Sequence, residues 1–492
     1  MPASKYPLLY QVNTRVWLAQ LSKELGRPAT LDDIPESELE GLADQGFEWV
    51  YFLGVWQTGE IGRRISRGNA DWLVEYRASL PDLTEEDICG SPFAVTGYSA
   101  HADFGGDNAL QRLHQRLNRC GLGLMLDFIP NHTAPDHPWV WEHPDYYVPG
   151  SEADFEKDPQ NFIRVETQSG SRVLARGRDP YFPSWLDTVQ LNYGNQVLQQ
   201  VLRDELARIA GLCDGLRCDM AMLVLPEIFE RTWAIPIQPF WPETILSVRQ
   251  AHHGFTFMAE VYWDLEATLL EQGFNYAYDK RLYDRLHAQD VELVRDHLQG
   301  SAAYQQRLTR FLENHDEARA AVVFPPGVHQ AAAVITFLSP GLRFFHQGQL
   351  EGWRTKISVH LCRGPQEPID LPLQAFYSRL LACLRRDVLR NGEWQLLAPQ
   401  PAWEDSLGYQ AYIAYAWQGQ AGERILVVVN FASNSNQCYL PAPFPDLAGR
   451  VVRLEDLLGP AVYDRPGDAL LSSGLYLDLP AWGYHVFTIS LV

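Results

Sequence analysis

Apolar residues along this chain fall into two alternating kinds of stretch. Short runs rich in Val, Leu, Phe and Tyr read as buried strands, and longer stretches with apolar residues every three or four positions read as amphipathic helices. "LLYQVNTRVWL" (8–18) predicts a first strand and "FEWVYFLGVW" (47–56) a second. "DNALQRLHQRLNRCG" (107–121) predicts a helix with Leu110, Leu113 and Leu117 on one face, Asp107 placed to cap it and Gly121 to end it. "LGLMLDFIPNH" (122–132) follows as a third strand. After a Pro- and aromatic-rich excursion, "NQVLQQVLRDELARIAG" (195–211) predicts another helix. "CDGLRCDMAML", "FTFMAEVYW", "GFNYAYDK", "TRFLENHDE" and "GLRFFHQG" supply strands four to eight.

Eight strands alternating with helices predict a parallel (β/α)8 barrel. The expected division is a barrel over 1–132 and 193–389, with a short lid insertion over 133–192 after the third strand. Beyond residue 390 the helices stop. "YIAYAWQG", "RILVVVNFAS" and "YLDLPAWGYHVFTI" predict a C-terminal antiparallel β-sandwich domain over 390–492. No internal repeat or low-complexity run interrupts this order.

Charge narrows the partners. Forty Lys and Arg stand against 61 Asp and Glu, a net −21, which disfavours nucleic acid and anionic membrane surfaces. The longest apolar runs fall short of the roughly 18 residues that cross a bilayer. The N-terminus shows no secretory pattern. Seven cysteines without a C-x-x-C spacing suit a reducing compartment, so a cytoplasmic location is expected.

Candidate chemistry sits at the carboxyl ends of the strands, where such barrels place their sites. The third strand ends in Asp127, Asn131 and His132. The fourth carries Arg217 and Asp219 on one face, the fifth ends in Glu260, and the seventh in Asn314, His315 and Asp316. Burying charge is costly unless it is paired. A structural ion pair explains one such strand end but not four. Arg217 favours the charged form of Asp219, and the apolar neighbours of Glu260 favour its protonated form.

The motifs "DFIPNH" (127–132), "GLRCD" (215–219), "AEVYW" (259–263) and "ENHDE" (313–317) resemble, in order, those of the α-amylase superfamily, glycoside hydrolase family 13. The resemblance implies a retaining α-glucan enzyme with Asp219 as nucleophile, Glu260 as acid/base and Asp316 as the carboxylate that binds and distorts the sugar. It places Arg217, His132, His315 and Asp127 in substrate binding. Retention requires two carboxyl groups about 5 Å apart. Phe93 in "SPFAVTGY" falls where the family has a stacking aromatic; Tyr98 competes for that role, and a core position for Phe93 is the plain alternative. Trp139, Trp141, Tyr146, Tyr147 and Trp185 suit either sugar subsites or packing of the lid.

Two departures matter. Met222 and Leu223 stand where many starch-hydrolysing members have Lys-His, and in "VQLNYGNQ" Gln190 replaces the usual calcium-binding aspartate. Only Asn131 remains of the side-chain calcium set, so no metal and no cofactor is expected. The expected substrate is an α-1,4-glucan or maltooligosaccharide, cleaved by hydrolysis. A transglycosylase on the same fold is the second reading, and a non-catalytic barrel for protein association is a third, disfavoured by the full carboxylate set. The sequence sets no oligomeric state.

Overall fold

A computed structural model describes residues 4–492. Eight parallel strands close into a barrel in sequence order: β1 (Leu8–Asn13), β2 (Trp49–Leu53), β3 (Gly123–Phe128), β4 (Gly215–Cys218), β5 (Thr256–Ala259), β6 (Tyr276–Tyr278), β7 (Leu308–Arg310) and β8 (Leu342–His346). β1 pairs with both β2 and β8, so the sheet has no edge. Strands buried on both faces are apolar nearly throughout, and this explains why each was visible as a run. In the register, Arg217 on β4 lies beside Asp127 on β3 and Met258 on β5.

Three boundaries differ from the sequence expectation. The first run is two elements: β1 stops at Asn13, whose side chain accepts from the Val16 N–H, and a helix follows over Thr14–Leu25. Asp107 does not cap its helix. The helix (Gly106–Arg119) starts from Gly105 and Gly106, both at positive φ, and Asp107 Oδ1 instead accepts from the Ala100 N–H at 2.7 Å. β4 ends at Cys218, because Met220 turns into the left-handed region (φ 41°) and a short 3₁₀ turn follows over Ala221–Val224.

Between β3 and β4 the chain leaves the barrel. His132–Thr133 pairs antiparallel with Val189–Gln190, and a hairpin joins Phe162–Thr167 to Gly170–Ala175. Between β2 and β3 it inserts a helix pair, Glu60–Gly68 and Ala70–Ser79, that the strand pattern did not foretell. This pair meets the segment after β8 through buried Tyr76, Ile88 and Leu361 and an isolated bridge between Ile88 and Leu361. The C-terminal part is antiparallel, with a six-stranded and a three-stranded sheet enclosing their own core. Trp417 Nε1 and the Tyr415 hydroxyl donate to barrel carbonyls at Leu338 and Val334, which seats that part on the barrel. No helix among the described residues is long and apolar enough to cross a membrane.

Candidate active site

The barrel mouth is organised around one fully buried cation. Arg217 Nη1 lies 2.7 Å from Asp219 Oδ1 and Nη2 lies 2.7 Å from Glu260 Oε2, so one guanidinium bridges two carboxylates. Asp127 and Asp316 stand farther off, at 3.6 and 3.9 Å. The rings of Phe93 and Tyr278 cover its faces, with centroids 5.3 and 5.9 Å away.

Backbone bonds continue one residue past the strands and fix the carboxylates. The Asp219 N–H donates to Phe128 O, and the Glu260 N–H donates to Cys218 O. The left-handed turn at Met220 aims its own N–H at Glu260 Oε2, 2.7 Å away, and the Tyr262 hydroxyl lies 2.8 Å from Oε1. A bulky residue holds such a φ only where its surroundings over-determine it, and here the backbone donor serves the carboxylate.

The carboxylates differ electrostatically. Burial, reinforced by the charges of Asp219 and Asp316 and opposed by Arg217, pushes Glu260 up to about 7. Burial also raises Asp219, with Arg217 opposing. Arg217 favours the charged form of Asp219, as its place on the same strand face implies, and desolvation outweighs it. For Asp316 burial works upward too, yet the His315 ring, Arg217 and Lys356 outweigh it and hold the carboxyl well below its usual range. Burial lowers His132 to about 4, so its ring is neutral at pH 7.

A cavity of about 310 Å³ opens over this floor, lined by Asp219, Glu260 and Asp316 together with Phe93, His132, Trp185 and Tyr262. Three residues expected to touch substrate, Asp127, Arg217 and His315, stand behind the lining residues, and each has protein partners. Asp127 accepts from the Tyr51 hydroxyl and the Gly54 N–H. Arg217 faces only carboxylates and rings. His315 Nδ1 accepts from Gln11 Nε2 at 2.9 Å, which leaves Nε2 to face Asp316 Oδ2 at 3.0 Å. They position the carboxylates from below. Tyr98 is a core residue, its hydroxyl bonded to the N–H and carbonyl of Ile129, so of these two candidates Phe93 is the one at the cavity. Of the excursion's rings only Trp185 reaches the cavity, 5.2 Å from His132. Trp139 and Tyr146 pack on each other, Tyr147 bonds Thr133, and Trp141 is exposed.

Gln190 lies beside Asn131, and its Nε2 donates to Asn131 Oδ1, Asn131 O and Leu191 O at 3.0, 2.9 and 3.1 Å. An amide nitrogen therefore stands at the centre of three oxygens. That neutral set holds no carboxylate and does not fit calcium. Among the described residues no group of three or more His, Cys, Asp or Glu could hold a metal.

Several contributors escaped sequence reasoning. Gln11 is the lone interior polar residue of β1, and that isolation was a usable signal. Asp187, Trp72 and His360 also line the cavity, with His360 3.7 Å from Asp187 and stacked on Trp72, and carried no local signal.

Residues 95–367 match a sequence model described as "Alpha amylase, catalytic domain". The alpha-amylase MalA of Haloarcula japonica is 24% identical over 371 residues, covering 74% of this chain and 51% of that protein. An alpha-1,4-glucan:maltose-1-phosphate maltosyltransferase of Cereibacter sphaeroides is 32% identical over 126 residues, 25% of this chain and 17% of that protein. The chain thus spans about half the length, or less, of these curated relatives. Among solved structures, the noncanonic maltogenic alpha-amylase AmyB from Thermotoga neapolitana superposes with TM-score 0.71 at 17% identity over 99% of both chains. An alpha-amylase from Lactobacillus plantarum gives 0.68 at 20% identity, over 98% of this chain and 99% of that one. At such identities the superpositions speak for the fold.

Proposed function

The chain belongs to the alpha-amylase family, and from that membership we propose that it is a retaining hydrolase of α-1,4-glucans or maltooligosaccharides. The observation that carries this reading is the bridging of Asp219 and Glu260 by one guanidinium. It supports the close spacing, about 5 Å, that a double displacement uses.

In the first step Asp219 attacks the anomeric carbon while Glu260 gives its proton to the departing glycosidic oxygen. The bond from the anomeric carbon to that oxygen breaks as the bond to Asp219 forms. In the second step Glu260 takes a proton from water, whose oxygen displaces Asp219. Burial that raises Glu260 to about 7 keeps a usable fraction protonated at neutral pH. Asp316, held ionised beside His315, offsets the positive charge that develops on the sugar. Phe93 supplies an apolar face for the ring and His132 a neutral hydrogen-bonding edge.

Transfer to a sugar acceptor is the second reading. The buried apolar Met222 and Leu223 after the nucleophile and the similarity to maltosyltransferases favour it. Seven unpaired cysteines support a reducing compartment, the cytoplasm. Maltoheptaose incubated with pure protein and resolved by length separates the readings, since hydrolysis yields only shorter sugars and transfer also yields longer ones. Asp219→Asn should abolish both by several orders of magnitude. An inert wild-type protein, or an Asp219→Asn variant of near-normal turnover, overturns the proposal.

A further inference from the structure

The cavity has two unlike ends. At one, the Tyr262 hydroxyl bonds Glu260, and the next residue, Trp263, meets exposed Tyr181 edge-on at 4.8 Å. At the other, beyond His132, the cavity meets Asp187, His360 and Trp72. Asp187 is buried, and its Oδ2 has no hydrogen-bond donor. The nearest cation candidate, His360 Nε2, is 3.7 Å from it, too far for a hydrogen bond. A buried, unsatisfied carboxylate oxygen is costly, and a ligand that brings hydroxyl groups removes that cost. Trp72 stacks on His360 (centroids 4.6 Å, planes 22° apart) and backs it as a wall. Trp72 comes from the helix Ala70–Ser79, which precedes the segment 95–367 that holds Asp187 and His360, so the wall joins two distant parts of the chain.

Resting on the hydrolase reading above, we propose that Asp187, His360 and Trp72 form a stop for the non-reducing end of the glucan, making the enzyme remove short units from chain ends. Direction follows from the acid. Glu260 protonates the leaving oxygen, so the departing chain runs toward Tyr262 and Trp263 and the Asp187 end receives the other side. A terminal glucosyl ring carries a free 4-hydroxyl that donates to Asp187 Oδ2. An internal ring has that oxygen in a glycosidic bond, with no hydrogen to give and a further sugar that meets Trp72. A cavity of about 310 Å³ sits at the small end of ligand pockets, about 300–1,000 Å³, which suits a few ring positions and not a long groove.

The test uses maltoheptaose tagged at its reducing end, compared with the same sugar carrying a 4,6-O-ethylidene block on the terminal ring. The free sugar should shorten stepwise from the untagged end, and the blocked sugar should react at least about 100-fold more slowly. Asp187→Asn, which keeps shape and removes charge, should raise KM on the free sugar about 10-fold to 100-fold and narrow the gap between the two substrates. Trp72→Ala leaves the carboxylate in place and should release longer units. Equal cleavage of both sugars, with tagged products of all lengths from the start, overturns the stop and leaves the hydrolase reading standing. No cleavage of either sugar overturns the hydrolase reading and the stop with it.

Discussion

Replacing Glu260 by Gln removes a proton donor while keeping the side chain's size. The amide oxygen still accepts from the Met220 N–H, and Asp219 keeps its bond to Arg217 Nη1. The nucleophile is therefore intact, and the loss depends on how much help the leaving group needs. A glucan alcohol needs the proton. General acid catalysis contributes about 10²–10⁴-fold, or about 3–5 kcal/mol of barrier at 1.36 kcal/mol per decade. Polymer cleavage should fall by at least that factor, whereas an α-maltosyl fluoride, whose leaving group departs without a proton, should keep most of its glycosylation rate. Because Glu260 titrates at about 7 and acts protonated, wild-type glycosylation falls as pH rises through that value. The variant has no such limb, and the acid limb set by Asp219 remains. Single-turnover measurements on both substrates across pH decide the matter. Equal slowing of fluoride and glucan, or a basic limb that survives in the variant, would falsify the assignment and turn attention to Asp316.

Two further outcomes rest on other parts of the molecule. Chelator should change neither melting temperature nor activity, since Gln190 Nε2 already satisfies the three oxygens beside it; a fall of several degrees on adding EDTA, restored by calcium, would refute this. Asp279→Ala should cost about 3–5 kcal/mol in urea unfolding, because it leaves buried Arg310 without its carboxylate partner, and a loss under about 1 kcal/mol would show the pair to be dispensable. The wild-type pH dependence of that pair has a definite sign. Burial opposes ionisation of Asp279, but His297 and Arg310 outweigh it and lower its pKa. Its contribution is therefore full above the unfolded carboxylate value of about 3.9 and is lost as pH falls below it.

What the sequence disclosed follows from what makes a pattern local. β1 to β8 were visible because strands buried on both faces leave an unbroken apolar run. The carboxylates were visible because charge at the end of such a run is anomalous. The end of β1 was missed because apolar spacing is blind to Asn13 capping the next helix. Asp107 was misassigned because its partner, Ala100 N–H, lies upstream of the helix. The protein partners of Asp127, Arg217 and His315 were not legible, because residue type does not say which way a side chain is already committed. Asp187, Trp72 and His360 come from three separate segments, and only folding makes them neighbours.

The segments around Ile88 and Leu361 come from opposite ends of the barrel's sequence and are joined outside the closed sheet, by their isolated bridge, by the Cys89 and Gly90 N–H groups on His360 O, by the Cys362 N–H on Asp87 O and by Arg363 on the Asp87 carboxylate. Elements packed outside a closed sheet open locally at a free energy below that of global unfolding, and here part of the hold is an ion pair that salt or acid weakens. On warming, the segment that carries His360 and the helix that carries Trp72 should part before Asp219 and Glu260 lose their bridge to Arg217 in the floor. Selectivity and turnover then have different thermal limits. A preparation judged intact by its rate on a small aryl glucoside can already have lost its discrimination between the tips and the interiors of long chains.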